Sequence, residues 1–570
     1  MMERAIKTLS AFAFLTALVL LGADGTIASD IPTLRYRFDR ISGESVKYRI
    51  TLTFKGEADG STNIELPNEW GGQLELYNAI KDLRAVSQRS TLADTAEPHI
   101  KSVTHQPGAE VVVQYFLEQD FTGPLRNAIR YRPIVADDHI HWIGDTVLIR
   151  PQLAAETIVD AEFDWRGFPR VWAFANSYGT KAAVQKRRLP LEDLGRSITV
   201  AGDFRITRVL AGKRPVHLAI RGEWKFKDEE LAQMAARVIE TQRDFWDDHS
   251  QKFYLITLVP LDEGPNSYSY GGTGLLDSFA LFATPDADVA GLRGLLAHEY
   301  FHNWNPVQLG KMPDPERSMY WLSEGFTDFF TYELLHRSKL ISTAEYIAEI
   351  NRRISDYFML PVRTAPNARN VDDFWTDRDV GRLPYLRGSI FAMNLNAAIE
   401  RETGGRRSLD DVMRALYLDA KNGKPAIDRE RIINSAAKFL PEGRRSFAGL
   451  LEEQIYRGAL IVPADDALGP EARLETAKLP VWEPGFDTDA LIKEKTINGV
   501  RPGTAAFNAG LRNGQKLVGG FSIYFGNTSR EIELKVSDES GEKDIRFLPV
   551  ALEKLDVPQF VAAERSSGNL

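Results

Sequence analysis

His298 and His302 stand four residues apart in Leu292-Arg-Gly-Leu-Leu-Ala-His298-Glu299-Tyr-Phe-His302-Asn-Trp-Asn305, an apolar segment of helical character. Residues at that spacing share one helix face, so both imidazoles can reach a single ion. Glu299 points about 100° around the helix from His298 and is badly placed to join them as a ligand. It can instead take a proton from a water that the ion activates. The chain holds 9 histidines in 570 residues. An accidental H-E-x-x-H is then expected roughly once in a hundred such chains. Packing is the competing reading of the pair, and a third ligand decides between them, because a catalytic zinc takes three protein ligands and keeps one position open. With 21 residues intervening after His302, the apolar segment Tyr320-Trp-Leu-Ser-Glu324-Gly-Phe-Thr-Asp328 supplies Glu324. Asp328, one turn further, can hold the second nitrogen of a ligating histidine and fix its tautomer. The expectation is one zinc ion on His298, His302 and Glu324, with Glu299 as general base. Cobalt or manganese would fit the same donors.

These residues resemble a known group. H-E-x-x-H followed by W-L-x-E-G-F-T is the signature of gluzincin metallopeptidases, and the variant His298 to Asn305 looks most like the glycyl aminopeptidase family with a C-terminal PDZ domain. The resemblance implies hydrolysis of a peptide or protein substrate. Leu383-Pro-Tyr385-Leu-Arg-Gly388 is similar to the family's Y-x-x-G segment, which implies that Tyr385 stabilises the tetrahedral intermediate. Ser408 to Leu416 looks like the family's terminal helix. Tyr270-Gly271-Gly272 matches the start of the edge-strand motif, so Gly271, Gly272, Thr273 and Gly274 are the implied substrate contacts. There the pattern breaks. The family places a glutamate two residues after the glycine pair to grip a peptide's free amine, and this chain has Gly274. Asp277 is the nearest substitute carboxylate. Peptide hydrolysis is therefore expected while exopeptidase mode stays open. A second reading, from another class, is a catalytically weak or inactive envelope protein that binds peptides through its flanking modules.

Arg4 and Lys7, the apolar run Leu9 to Leu21 and the small residues before Ser29 follow the order of a secretory signal, 1–28. The run is too short for a convincing spanning helix, and no other stretch reaches membrane length. A periplasmic or secreted protein is expected. Cysteine is absent, which excludes disulfides and thiol catalysis, so stability must come from core burial. A net charge of −9 without a basic cluster argues against a nucleic-acid partner.

The elements that must carry the site read as a multidomain α+β chain. Residues 29–205 alternate in the manner of strands, as in Ser45 to Phe54 and Glu110 to Phe116, and suggest an antiparallel β-sandwich. His139 and His141 fall in that region and read as two histidines on one strand face rather than a second metal site. Residues 206–463 open with an amphipathic helix from Glu229, capped by Asp228, and a strand Phe253 to Val259. The Gly-rich segment follows as a loop, then an edge strand Ser278 to Phe282 able to accept a peptide as an added strand. The small sheet and following helices are the order the resemblance implies for a thermolysin-like catalytic domain. Residues 464–570 return to strands. Ile497 to Leu511 resembles the core of bacterial PDZ domains, with Pro484-Gly485-Phe486 as a candidate loop for the C-terminal carboxylate of a peptide ligand.

Overall fold

The computed structural model describes residues 31–43, 45–264, 268–424, 426–440 and 443–563. The expected signal segment lies outside them. Among the described residues no helix is long and apolar enough to cross a membrane.

The amino-terminal region is built from three sheets. In Lys47–Lys55 every second side chain, from Tyr48 to Phe54, is buried, the period that strand geometry imposes on a half-covered sheet. This strand sits inside a six-stranded sheet whose apolar face shares a core with Ile64, Val103 and Trp142 of the two four-stranded sheets. The pairing is antiparallel except at one junction, where Thr33–Ile41 runs parallel to Ile158–Gly167. Parallel neighbours require a crossover, and the chain between these strands supplies it through the second sheet.

The sheet under the site has five strands, in the order Arg205–Ala211, Arg214–Ile220, Tyr254–Pro260, Ser278–Ala283, Tyr270–Leu275. Its three inner strands run parallel, and the helix Asp228–Trp246 makes the first crossover. Parallel strands covered on both faces are apolar on both. Ile256, Leu258, Phe279 and Leu281 face the helices, whereas Leu255, Val259, Ala280 and Phe282 face the amino-terminal region. Asp228 does not cap the helix as expected. It is the first helical residue, and its carboxylate pairs with Arg205 at 2.7 Å.

A larger correction concerns the edge. Ser278–Ala283 is interior, hydrogen-bonded on both sides, and the Gly-rich segment is itself the outer strand. The chain turns back at Leu276-Asp277, with Asp277 at φ 45°, so Tyr270–Leu275 pairs antiparallel with Ser278–Ala283. Glycine-rich sequence lowers strand propensity, and tertiary pairing overrides it here.

The helices that follow, from Val289–Phe301 to Gly443–Leu451, share one core with the sheet. That core also takes in Ala472, Val557 and Phe560 from the long ribbon Ala472–Trp482 and Val550–Ala562. Phe486, Ile497, Ala506, Leu511, Leu534 and Phe547 form a separate small core at the C-terminal end.

Candidate metal centre and substrate edge

The helix Val289–Phe301 starts on Asp288, whose side chain accepts from the Gly291 N–H at 2.7 Å. Leu292, Leu296, Ala297, Tyr300 and Phe301 bury its inner face. Gln242 of the crossover helix donates to the Ala297 carbonyl at 2.6 Å, which fixes the helix just before His298. Glu324 lies at the junction between Tyr320–Ser323 and Gly325–Arg337. Asn305 binds the two segments together: its Nδ2 donates to the Leu322 carbonyl at 3.0 Å and to Thr327 Oγ1 at 3.1 Å. Its carbonyl oxygen accepts from His302 Nδ1 at 2.8 Å.

Both histidines are oriented from behind. His298 Nδ1 donates to Asp328 Oδ1 at 2.9 Å, and Asp328 in turn pairs with Arg353. With each Nδ1 committed outward, the two Nε2 atoms face each other at 3.1 Å and face Glu324 Oε2 at 3.3 and 3.4 Å. The three donor atoms of His298, His302 and Glu324 lie within 4.8 Å of one another, the grouping of this kind found among the described residues. Such a group needs positive charge at its centre. One proton can satisfy two of the three lone pairs, but a divalent cation satisfies all three, and two imidazoles with one carboxylate are a zinc set. Side-chain exposures of 13, 19 and 16 % for His298, His302 and Glu324 show that the set is not sealed from solvent, as a site with a free coordination position requires.

Electrostatics follow the same geometry. Burial works against the Glu324 carboxylate, yet the two imidazoles outweigh it and hold the group well below its usual range. Asp328 is also lowered, by Arg353 and His298 against burial. Glu299 goes the other way: burial raises it, offset in part by the histidines. Its Oε2 accepts the backbone N–H of Gly274 at 3.2 Å, so the expected base is tethered to the edge strand. The Tyr385 ring stacks 6.0 Å from that of His298, and its hydroxyl is raised well above the ordinary range by burial and by Glu324, Asp328 and Glu299. It therefore keeps its proton and is available as a donor.

Tyr385 reaches the centre because two helices nearly touch. A Cβ on Gly388 would lie 2.8 Å from Gly325 Cα and closer still to the Trp321 carbonyl oxygen, and a Cβ on Gly325 would lie 2.8 Å from the Pro384 carbonyl. The glycines of E-G-F-T and of Y-x-x-G are thus one contact.

On the outer strand, the Gly272 carbonyl and the Gly274 N–H both point away from the sheet, the first to Tyr131 and the second to Glu299. Gly271 and Thr273 alternate with them. Gly274 leaves room for a side chain, with only the Glu299 carbonyl within 3.4 Å of a Cβ. Asp277 does not fill that role: its carboxylate is held by Gln251 at 2.8 Å beside the turn. Asn305, Arg353 and Tyr131 are contributors that spacing did not reveal. Asn305 alone had a local signal, three residues after His302.

His141 is no ligand. It is buried against Phe282, with its Nε2 3.0 Å from Thr257 Oγ1, and His139 bonds Asp138 at 2.6 Å. Burial lowers His141 from 6.5 to about 3. Below pH 6.5 the unfolded chain gains a proton that the folded chain refuses, so stability falls as pH drops toward about 3. At pH 5 the loss is about 2 kcal/mol. His141→Gln is therefore expected to show a smaller drop in Tm between pH 7 and pH 5 than the parent, and equal drops would refute this role.

No curated protein matches the sequence. Among solved structures, an aminopeptidase N family protein from Idiomarina loihiensis is similar in fold, with a TM-score of 0.68 at 15 % identity over 93 % of this chain and 98 % of that one. An M1 zinc metallopeptidase from Deinococcus radiodurans aligns with a TM-score of 0.45 at 14 % identity, over 76 % of this chain and 95 % of that one. Residues 291–373, which hold His298, Glu299, His302, Glu324 and Asp328, match the family of M61 glycyl aminopeptidases.

Proposed function

We propose that the chain is an exported zinc-dependent peptide hydrolase, periplasmic or secreted. The observation that carries this reading is the convergence of three donor atoms beside a glutamate that is hydrogen-bonded to the outermost strand of the sheet. His298, His302 and Glu324 would hold the ion, which supplies a water of pKa about 7 and a Lewis acid for the scissile carbonyl. Glu299 accepts the proton of the attacking water and hands it to the leaving amine. Tyr385 donates to the oxyanion, and the outer strand Tyr270–Leu275 aligns the peptide. Asp328, held by Arg353, keeps His298 in the ligating tautomer. Export rests on the order of residues in 1–28. The C-terminal module is read as PDZ-like, with a peptide C-terminus as its ligand.

Metal analysis of purified protein is expected to give one zinc per chain. Chelation should abolish cleavage of a mixed peptide library and lower Tm, and zinc should restore both. Substoichiometric metal with chelator-resistant cleavage would overturn the ligand set. Gly274 in place of a carboxylate leads to a further expectation, that N-acetylated peptides are cut about as well as free ones. A strong loss on acetylation would point back to an aminopeptidase.

A further inference from the structure

Arg130 lies where the amino-terminal region meets the outer strand. Its neighbour Tyr131 donates to the Gly272 carbonyl at 2.5 Å, so a peptide added along this edge cannot continue past that point. The Arg130 guanidinium stacks over the Tyr131 ring at 4.3 Å. Its Nη1 donates to the carbonyl and side-chain oxygens of Asn127 at 2.8 and 3.0 Å. Its Nε is buried without a partner, and no described carboxylate forms an ion pair with it. Glu263, the acid beside this turn, accepts from the Asn127 N–H instead. A Cβ on Gly271 would sit 3.2 Å from Arg130 Nε, so the bare glycine lets the guanidinium lie against the strand. A half-buried guanidinium without an ion-pair partner attracts a carboxylate and repels an ammonium.

We propose that Arg130 is a specificity-determining residue that selects substrates presenting a carboxylate where the peptide meets the Gly271–Gly272 end of the edge strand. The idea rests on the peptidase reading above. The carboxylate can come from an acidic side chain or from a chain terminus.

The test uses full-length, zinc-loaded protein and matched peptides carrying Glu, Gln or Lys at each position around the cleaved bond, each with a free or amidated C-terminus. The parent is expected to favour one Glu peptide over its Gln partner by about tenfold or more in kcat/KM, less so at high salt. A terminal carboxylate as the source would show instead as a preference for free acid over amide. Arg130→Gln should bring the ratio close to one, Arg130→Lys should keep part of it, and Arg130→Glu should shift preference toward Lys. Equal losses on all peptides in Arg130→Gln, or a parent without preference, would overturn the proposal. Calorimetric binding of the same peptides to Glu299→Gln separates the two readings. Charge-selective binding without cleavage by the parent keeps this subsite and sinks the hydrolase, whereas cleavage without selectivity does the reverse.

Discussion

Glu299→Gln is expected to lower kcat by about 10²–10⁴-fold, the range a positioned proton-transfer group supplies, while zinc content and peptide binding stay near the parent's. The substitution is nearly isosteric, and the glutamine oxygen can still accept the Gly274 N–H that Glu299 accepts at 3.2 Å. Edge strand and helix therefore keep their contact. What is lost is the ability to receive a proton. Glu299 is suited to that work because burial raises its pKa, bringing it closer to the pH at which it must exchange protons. It is not one of the converging donors, since the three atoms that meet belong to His298, His302 and Glu324. Near-normal kcat with zinc bound would remove Glu299 from the reaction. A fall in kcat accompanied by loss of zinc would make it a support of the ligand set.

The parts legible in the sequence were those in which one short stretch dictates geometry. Helical spacing alone puts His298 and His302 on one face, and a one-turn step puts Asp328 behind the same site as Glu324. What could not be read depends on contacts between distant segments. Arg353, which holds Asp328, lies 25 residues further on, and nothing about an arginine in an amphipathic helix marks it as a partner. Tyr131 and Gly272 are 141 residues apart. The outer strand is illegible in the sequence for a different reason. Periodicity cannot show that Tyr270–Leu275 is a strand when three of its six side chains are glycine, and its place at the edge follows from the Leu276-Asp277 turn. The ribbon Ala472–Trp482 and Val550–Ala562 belongs to the large helical core for the same kind of reason: Asn351 exchanges hydrogen bonds with Phe560 at 2.8 and 2.7 Å.

Gly388→Ala is expected to cost stability and catalysis together. A methyl group there meets backbone rather than flexible side chains, namely Gly325 Cα at 2.8 Å and the Trp321 carbonyl. Overpacking of this kind typically costs about 1–3 kcal/mol, and it can be relieved only by separating the helix Arg378–Thr403 from the segment that carries Glu324. Tyr385 sits one turn before Gly388 on that helix, so separation withdraws its hydroxyl from the cleft. Loss of one oxyanion donor lowers kcat by about 10²–10³-fold, which is the loss expected of Tyr385→Phe with little change in KM. A double-mutant cycle distinguishes a positioning role for Gly388 from simple destabilisation. If the glycine contact acts by placing Tyr385, Gly388→Ala combined with Tyr385→Phe should be scarcely slower than Gly388→Ala alone, because the donor is already gone. Losses in kcat that multiply, measured where both variants remain folded and zinc-bound, would show that the helix contact and the tyrosine act separately.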